Sequence, residues 1–128
     1  MIKSLLLVFL AISSLIAQPL WINNPNIEGY LVGIGMSNDK NPISKRRIAT
    51  VSARASLSEN IRVEISSYFK MITTIKNDNY SILTESFIEQ KAQEVLVGSV
   101  IKHTYQDNDG TFYILVTVKK DSIKIKSQ

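Results

Sequence analysis

Two glycines spaced by one residue, Gly33 and Gly35, lie in the run Tyr30-Leu-Val-Gly-Ile-Gly-Met-Ser37, just ahead of the stretch Asn41–Asn60, NPISKRRIATVSARASLSEN. In an extended strand, residues two apart share a face, so these glycines clear side chains from one patch of one side. In the following stretch, Ala49, Ala53, Leu57 and Ile61 recur at steps of four, which aligns them on one stripe of a helix. Small residues on the helix match missing side chains on the strand. Asn41 is suited to cap this helix, and Pro42 to its first position, where an absent N–H costs nothing. The pattern predicts a strand–helix packing unit with unusually close backbones.

From Ile61 the apolar residues Ile61, Val63 and Ile65 alternate with Arg62, Glu64 and Ser66. That period of two, with the β-branched and aromatic residues up to Ile75, predicts a long strand over Ile61–Lys76. A helix continuing to about Ser67 is the alternative. Asn77-Asp-Asn79 is a turn signal. Leu83, Phe87, Ile88, Lys91 and Val95 fit a second, shorter helix from Tyr80 to Glu94, with Ser81 or Thr84 as its cap. Val95–Tyr105 is then a third strand. Gln106–Gly110 forms a hairpin turn, and Thr111–Lys119 a fourth strand; Asp-Gly between two β-rich runs is a strong hairpin signal. The expected fold is α+β: a mostly antiparallel sheet of about four strands in the order β-α-β-α-β-β, with a main helix packed on one face.

The 128 residues suit one domain. Met1–Ala17 combines a lysine near the start, an apolar core at Leu5–Ile16 and a small residue at Ala17, as a secretory signal peptide does. The apolar run is short for a transmembrane helix. Residues 18–28 form an extended leader, 29–120 the domain and 121–128 a basic tail. Removing residues 1–17 takes away Lys3 alone, leaving 14 basic against 11 acidic residues, or +3. A balance this mild, in an exported chain, argues against nucleic acid as partner. The sequence has no cysteine, which excludes disulfides, thiolate catalysis and zinc–cysteine sites.

No reactive constellation emerges. Gly33-Ile-Gly35 lacks the third glycine of a dinucleotide fingerprint, since Asn38 stands there. Asp107-Asn-Asp109-Gly110 opens like a calcium loop but lacks the later oxygen ligands. His103 is the single histidine, and alone it cannot assemble a transition-metal site. Glu85, Glu89 and Glu94 read as the solvated side of a helix. The expectation is a non-enzyme with no cofactor and no metal. In the last strand Phe112, Ile114 and Val116 face one way and Tyr113 and Leu115 the other, so both sides are apolar. One helical layer cannot cover both, which makes Phe112, Tyr113, Ile114, Leu115 and Val116 the candidate partner contact. The alternative is a ligand platform made of Trp21, Tyr105 and Tyr113.

The ordered set Pro19-Leu-Trp21, Gly29-Tyr30, Gly33-Ile-Gly35-x-Ser37, Ala49, Ala53-Arg54, Leu57, Leu96-x-Gly98 and Asp109-Gly110-x-Phe112-Tyr113-x-Leu115-Val116 resembles the Lpp-twenty (LPP20) lipoprotein family of bacterial envelopes. Relatives of that family include the flagellar proteins FlgP and FlgT. The resemblance spans roughly Pro19 to Val118. It implies a helix packed on an antiparallel sheet and a place in outer-membrane-associated assemblies, with no catalytic residues to carry over. Gln18 stands where a typical member has its lipidated cysteine, so contact with a membrane is expected to be indirect. A self-associating or docking envelope protein, exported to the periplasm, associated with the outer membrane or secreted, is the first expectation; its partners are further copies or other envelope or flagellar proteins. A module binding a small ligand or glycan is the second.

Overall fold

The structure, a computed structural model, describes residues 18–76 and 81–123, with side chains for 18–71 and 85–123. The segment read as a signal peptide, the turn at Asn77–Asn79, the side chains of the cap candidates Ser81 and Thr84, and the last five residues lie outside these. The elements in chain order are a one-turn helix α1 (Leu20–Asn23), strand β1 (Tyr30–Ser37), a long helix α2 (Pro42–Lys76), helix α3 (Ser81–Val97), strands β2 (Val100–Gln106) and β3 (Phe112–Lys119), and a 3-10 turn (Lys120–Ile123). The fold is α+β with a main helix, as the sequence predicts.

The sheet has three strands in the order β1-β3-β2, with both pairings antiparallel. The fourth strand expected at Ile61–Lys76 is instead the second half of α2, so the helix runs 35 residues from Pro42 to Lys76. The reason is in the packing. Ile61 and Ile65 are fully buried and prolong the stripe of Ala49, Ala53 and Leu57 at the same step of four, and Phe69 packs against them one step later. Val63, the residue that created the apparent alternation, is 63% exposed. Asn60 does not stop the helix. Its Nδ2 donates 2.7 Å to the Val32 carbonyl, which ties α2 to β1.

The N-terminus of α2 forms as expected. Asn41 Oδ1 accepts from the amides of Ile43 (2.9 Å) and Ser44 (3.3 Å), satisfying two otherwise orphaned donors. The third strand also starts later than Val95. Ala92 and Val95 are buried on α3, and that helix closes at Gly98, whose amide donates to the Val95 carbonyl. The β2–β3 hairpin is as read. Gly110, at φ +90°, takes the left-handed position of the turn, and Asp107 N–H donates to the Thr111 carbonyl at 2.8 Å.

One core lies between α2 and the sheet. It contains Leu31 of β1, Ile114, Val116 and Val118 of β3, the α2 stripe, Ala92 and Val95 of α3, and Ile123. Gly33 and Gly35 let β1 press against the α2 backbone, because a Cβ at either position would overlap backbone atoms of Ala53 or Ala49. α3 runs back along α2, joined by Arg62, which donates to Glu89 at 2.9 Å, and by an edge-on contact of Phe69 and Phe87 at 5.1 Å.

Candidate functional site

The long helices α2 and α3 occupy one side of the sheet only. The strand register arranges the other side in rows. At the hairpin end Tyr105, Tyr113 and Met36 stand side by side across all three strands. The next row is His103, Leu115 and Ile34. A bulge between Ile101 and His103 shifts β2, so Val100 and Val32 flank Thr117 in the row beyond.

The leader crosses this face. Gln18 Nε2 donates 3.1 Å to Asp107 Oδ2 at the end of β2, and the Trp21 ring stacks on His103 with centroids 5.7 Å apart and planes 19° apart. At its far end the Gly29 carbonyl accepts from the Lys120 amide just past β3. The leader is thus not purely extended: it carries the α1 turn, which presents Trp21. On this side the central strand is buried as well. Leu115 is 0% and Thr117 2% exposed, yet neither belongs to the helix-side core.

Of the predicted partner residues, Ile114, Leu115 and Val116 are therefore interior to the folded chain, on the central strand. Phe112 is half-buried beneath Arg46, whose guanidinium lies 5.8 Å from the ring centroid. Tyr113 stays half-exposed on the open face. The three residues of the aromatic alternative do share that face. Tyr105 and Tyr113 have centroids 6.3 Å apart, and Trp21 sits over the neighbouring row. In the hairpin-end row Met36 is 56% exposed and Tyr105 and Tyr113 are partly exposed, and at the other end of the face Val100 is 59% exposed.

Sequence reasoning missed Met36 and His103 as members of this surface. Met36 was readable only once the β1–β3 register was known. His103 had the right alternation with Tyr105 to share its face. Desolvation, and after it the charge of Asp107, holds the Tyr105 phenol above its usual pKa. Asp109 is held below the usual carboxylate range by the Thr111 amide, which donates to it at 3.0 Å. Next to it, Lys45 Nζ donates 2.6 Å to the Gly110 carbonyl, fixing the hairpin to the start of α2.

Among the described residues no group of three or more His, Asp or Glu side chains is placed to hold a metal ion. None of their helices is long and apolar enough to cross a membrane. A half-open cavity of about 500 Å³ lies at the other end of the molecule, lined by Glu64, Ser67, Tyr68, Met71, Lys120, Asp121 and Ile123.

No curated protein matches the chain. The LPP20 lipoprotein family model matches residues 19–119, a span that begins two residues before the ring stacked on His103 and ends on the last residue of the central strand. A match that takes in the leader, the long helix and all three strands has one consequence: the chain belongs to the LPP20 lipoprotein family.

Proposed function

We propose that this protein is a non-enzymatic structural component of the bacterial envelope that self-associates or docks into an outer-membrane-associated assembly through the open face of its sheet, with a flagellar motor structure as the first assembly to test. Family membership supplies the envelope-associated, lipoprotein-like setting, and the LPP20 lipoproteins are not a known enzyme family. The observation that carries the reading is the row Tyr105–Tyr113–Met36. It is an aromatic and thioether surface spanning three strands, beside a leader that crosses part of the same face. Tyrosine and methionine are enriched where protein surfaces meet, because they bury large areas while tolerating water when alone. In this reading the protein works in the periplasm or at the outer membrane.

Light scattering on the chain from Gln18 onward tests this. Species larger than the monomer at micromolar concentration are expected, and Tyr113→Glu or Met36→Glu should return the protein to a monomer. A wild-type protein that is monomeric and pulls no envelope protein from cross-linked cells would end the proposal.

A second reading rests on the same rings. Trp21 on His103 and Tyr105 beside Tyr113 form an aromatic platform of the type that stacks on sugars or other flat ligands. It predicts that emission of the single tryptophan responds saturably to an added glycan while the mass stays monomeric. Unchanged emission across a panel of envelope glycans would remove this reading.

A further inference from the structure

Charge is unevenly distributed along α2. Between Lys40 and Ser58 the sequence carries Lys40, Lys45, Arg46, Arg47 and Arg54 and no acidic residue. The first turn of α2 has no Asp or Glu, although the positive end of the helix dipole favours them there. Cations so placed cost stability, and internal partners account for only some of them. Lys45 is spent on the hairpin, Arg46 leans on Phe112, and Arg54 donates to Ser99 at 3.4 Å. Arg47 has no hydrogen bond or ion pair among the described residues.

The same flank is apolar. Ile43 is 74% and Val51 63% exposed, and with Pro42, Arg46, Arg47 and Thr50 they line one open groove. Branched aliphatic side chains alternating with arginines on the outside of a helix suit a boundary between hydrocarbon and anionic headgroups. The cations meet phosphate while Ile43 and Val51 enter the layer beneath. A second copy does not fit this groove against its own counterpart, because arginine would face arginine. A nucleic-acid backbone would use the cations and leave the aliphatic side chains idle.

We propose that the Ile43–Val51 flank of α2 is a docking surface for the anionic phospholipid headgroups of a bilayer. It gives a member of a lipoprotein family whose 128 residues include no cysteine a contact with the membrane that needs no attached lipid. This contact is independent of the open sheet face, which lies on the opposite side of the sheet from α2 and stays free for partners.

Co-sedimentation with vesicles tests it, using the chain from Gln18 onward. That form contains every core residue and lacks the apolar stretch Leu5–Ile16, which would bind vesicles by itself. Binding is expected to vesicles of equal parts phosphatidylglycerol and phosphatidylcholine and not to phosphatidylcholine alone. It should weaken steeply with added salt, as screening shortens the reach of the charges. Arg46→Ser with Arg47→Ser should lower the partition coefficient by about twenty-five-fold, roughly fivefold per cation. Ile43→Ser with Val51→Ser should lower it by at least fivefold at unchanged charge. Circular dichroism of each variant shows that the helix is intact.

Equal binding to both vesicle types, or binding unaffected by either pair of substitutions, overturns the proposal. So does binding to a short DNA duplex at physiological salt without binding to anionic vesicles, which would make the groove a polyanion site. Loss of vesicle binding in a protein that still self-associates would reject this inference and leave the sheet-face reading standing.

Discussion

Gly33 lies directly against Ala53: a methyl group added to Gly33 would collide with the Ala53 carbonyl oxygen and sit 2.7 Å from Leu57 Cβ. Both obstacles belong to a helix that is itself wedged in the core, so neither can move cheaply. Gly33→Ala should destabilise the protein by about 3 kcal/mol, at the upper end of overpacking costs. The same change at Gly98, where only the Val95 carbonyl lies within ordinary contact at 3.5 Å, meets no such obstacle. Urea midpoints of the two variants give the comparison, and equal midpoints would contradict the close approach.

Ile61 and Val63 separate a helix from a strand at one site. On the helix, Ile61 is fully buried and Val63 is 63% exposed. Ile61→Ala should cost about 2–5 kcal/mol through lost burial and a cavity. Val63→Lys should stay within about 0.5 kcal/mol of wild type. A strand with both residues on one buried face would make both changes costly.

Trp21 reports on the leader. Removing its stacking partner with His103→Ala should cost about 1 kcal/mol, the usual worth of an aromatic pair beyond its buried area. Emission of the only tryptophan should shift to longer wavelength as the ring gains water. An unshifted spectrum would mean that the leader is held without the stack.

Asp109 sets a pH dependence at the hairpin. Its carboxylate accepts from the Thr111 amide and is held below its ordinary value of 3.8 in the folded chain. A group with a depressed folded value binds protons more readily when unfolded. Its stabilising contribution is therefore present above the ordinary value and is lost as pH falls through the depressed one. Asp109→Asn should lower stability at pH 7 and flatten its fall between about pH 5 and about pH 2. Chemical denaturation at several pH values measures both effects; parallel curves for variant and wild type would rule out this contribution.

The sequence disclosed those parts of the fold that rest on local chemistry. Asn41 and Pro42 mark the start of α2, Asp109-Gly110 marks the hairpin, and the glycine pair facing the alanines marks the close helix–strand contact. The stop of α2 was misplaced because Ile61, Val63 and Ile65 satisfy a period of two as well as Ile61 and Ile65 satisfy a step of four. Only the sheet they pack on distinguishes the two. The site was half legible. Tyr105 and Tyr113 could be named in advance, but Leu115 was expected at a surface because periodicity does not disclose that its strand is the central one of the sheet. Met36 joins Tyr113 through a register fixed between strands some eighty residues apart, and no local pattern encodes it.

The position of β3 governs when this chain can fold. β1 and β2 touch no strand except β3, and Tyr30 pairs with Lys119. The first strand therefore has no ladder partner until residues 112–119 follow it, after both long helices and β2. Closing so long a loop is slow compared with helix formation. Until residues 112–119 emerge, the glycine face of β1 can meet only α2, whose stripe alone does not make a sheet. The sheet therefore forms in one step, after both long helices that lie between its first strand and its central one have been made, and no two-stranded sheet precedes β3.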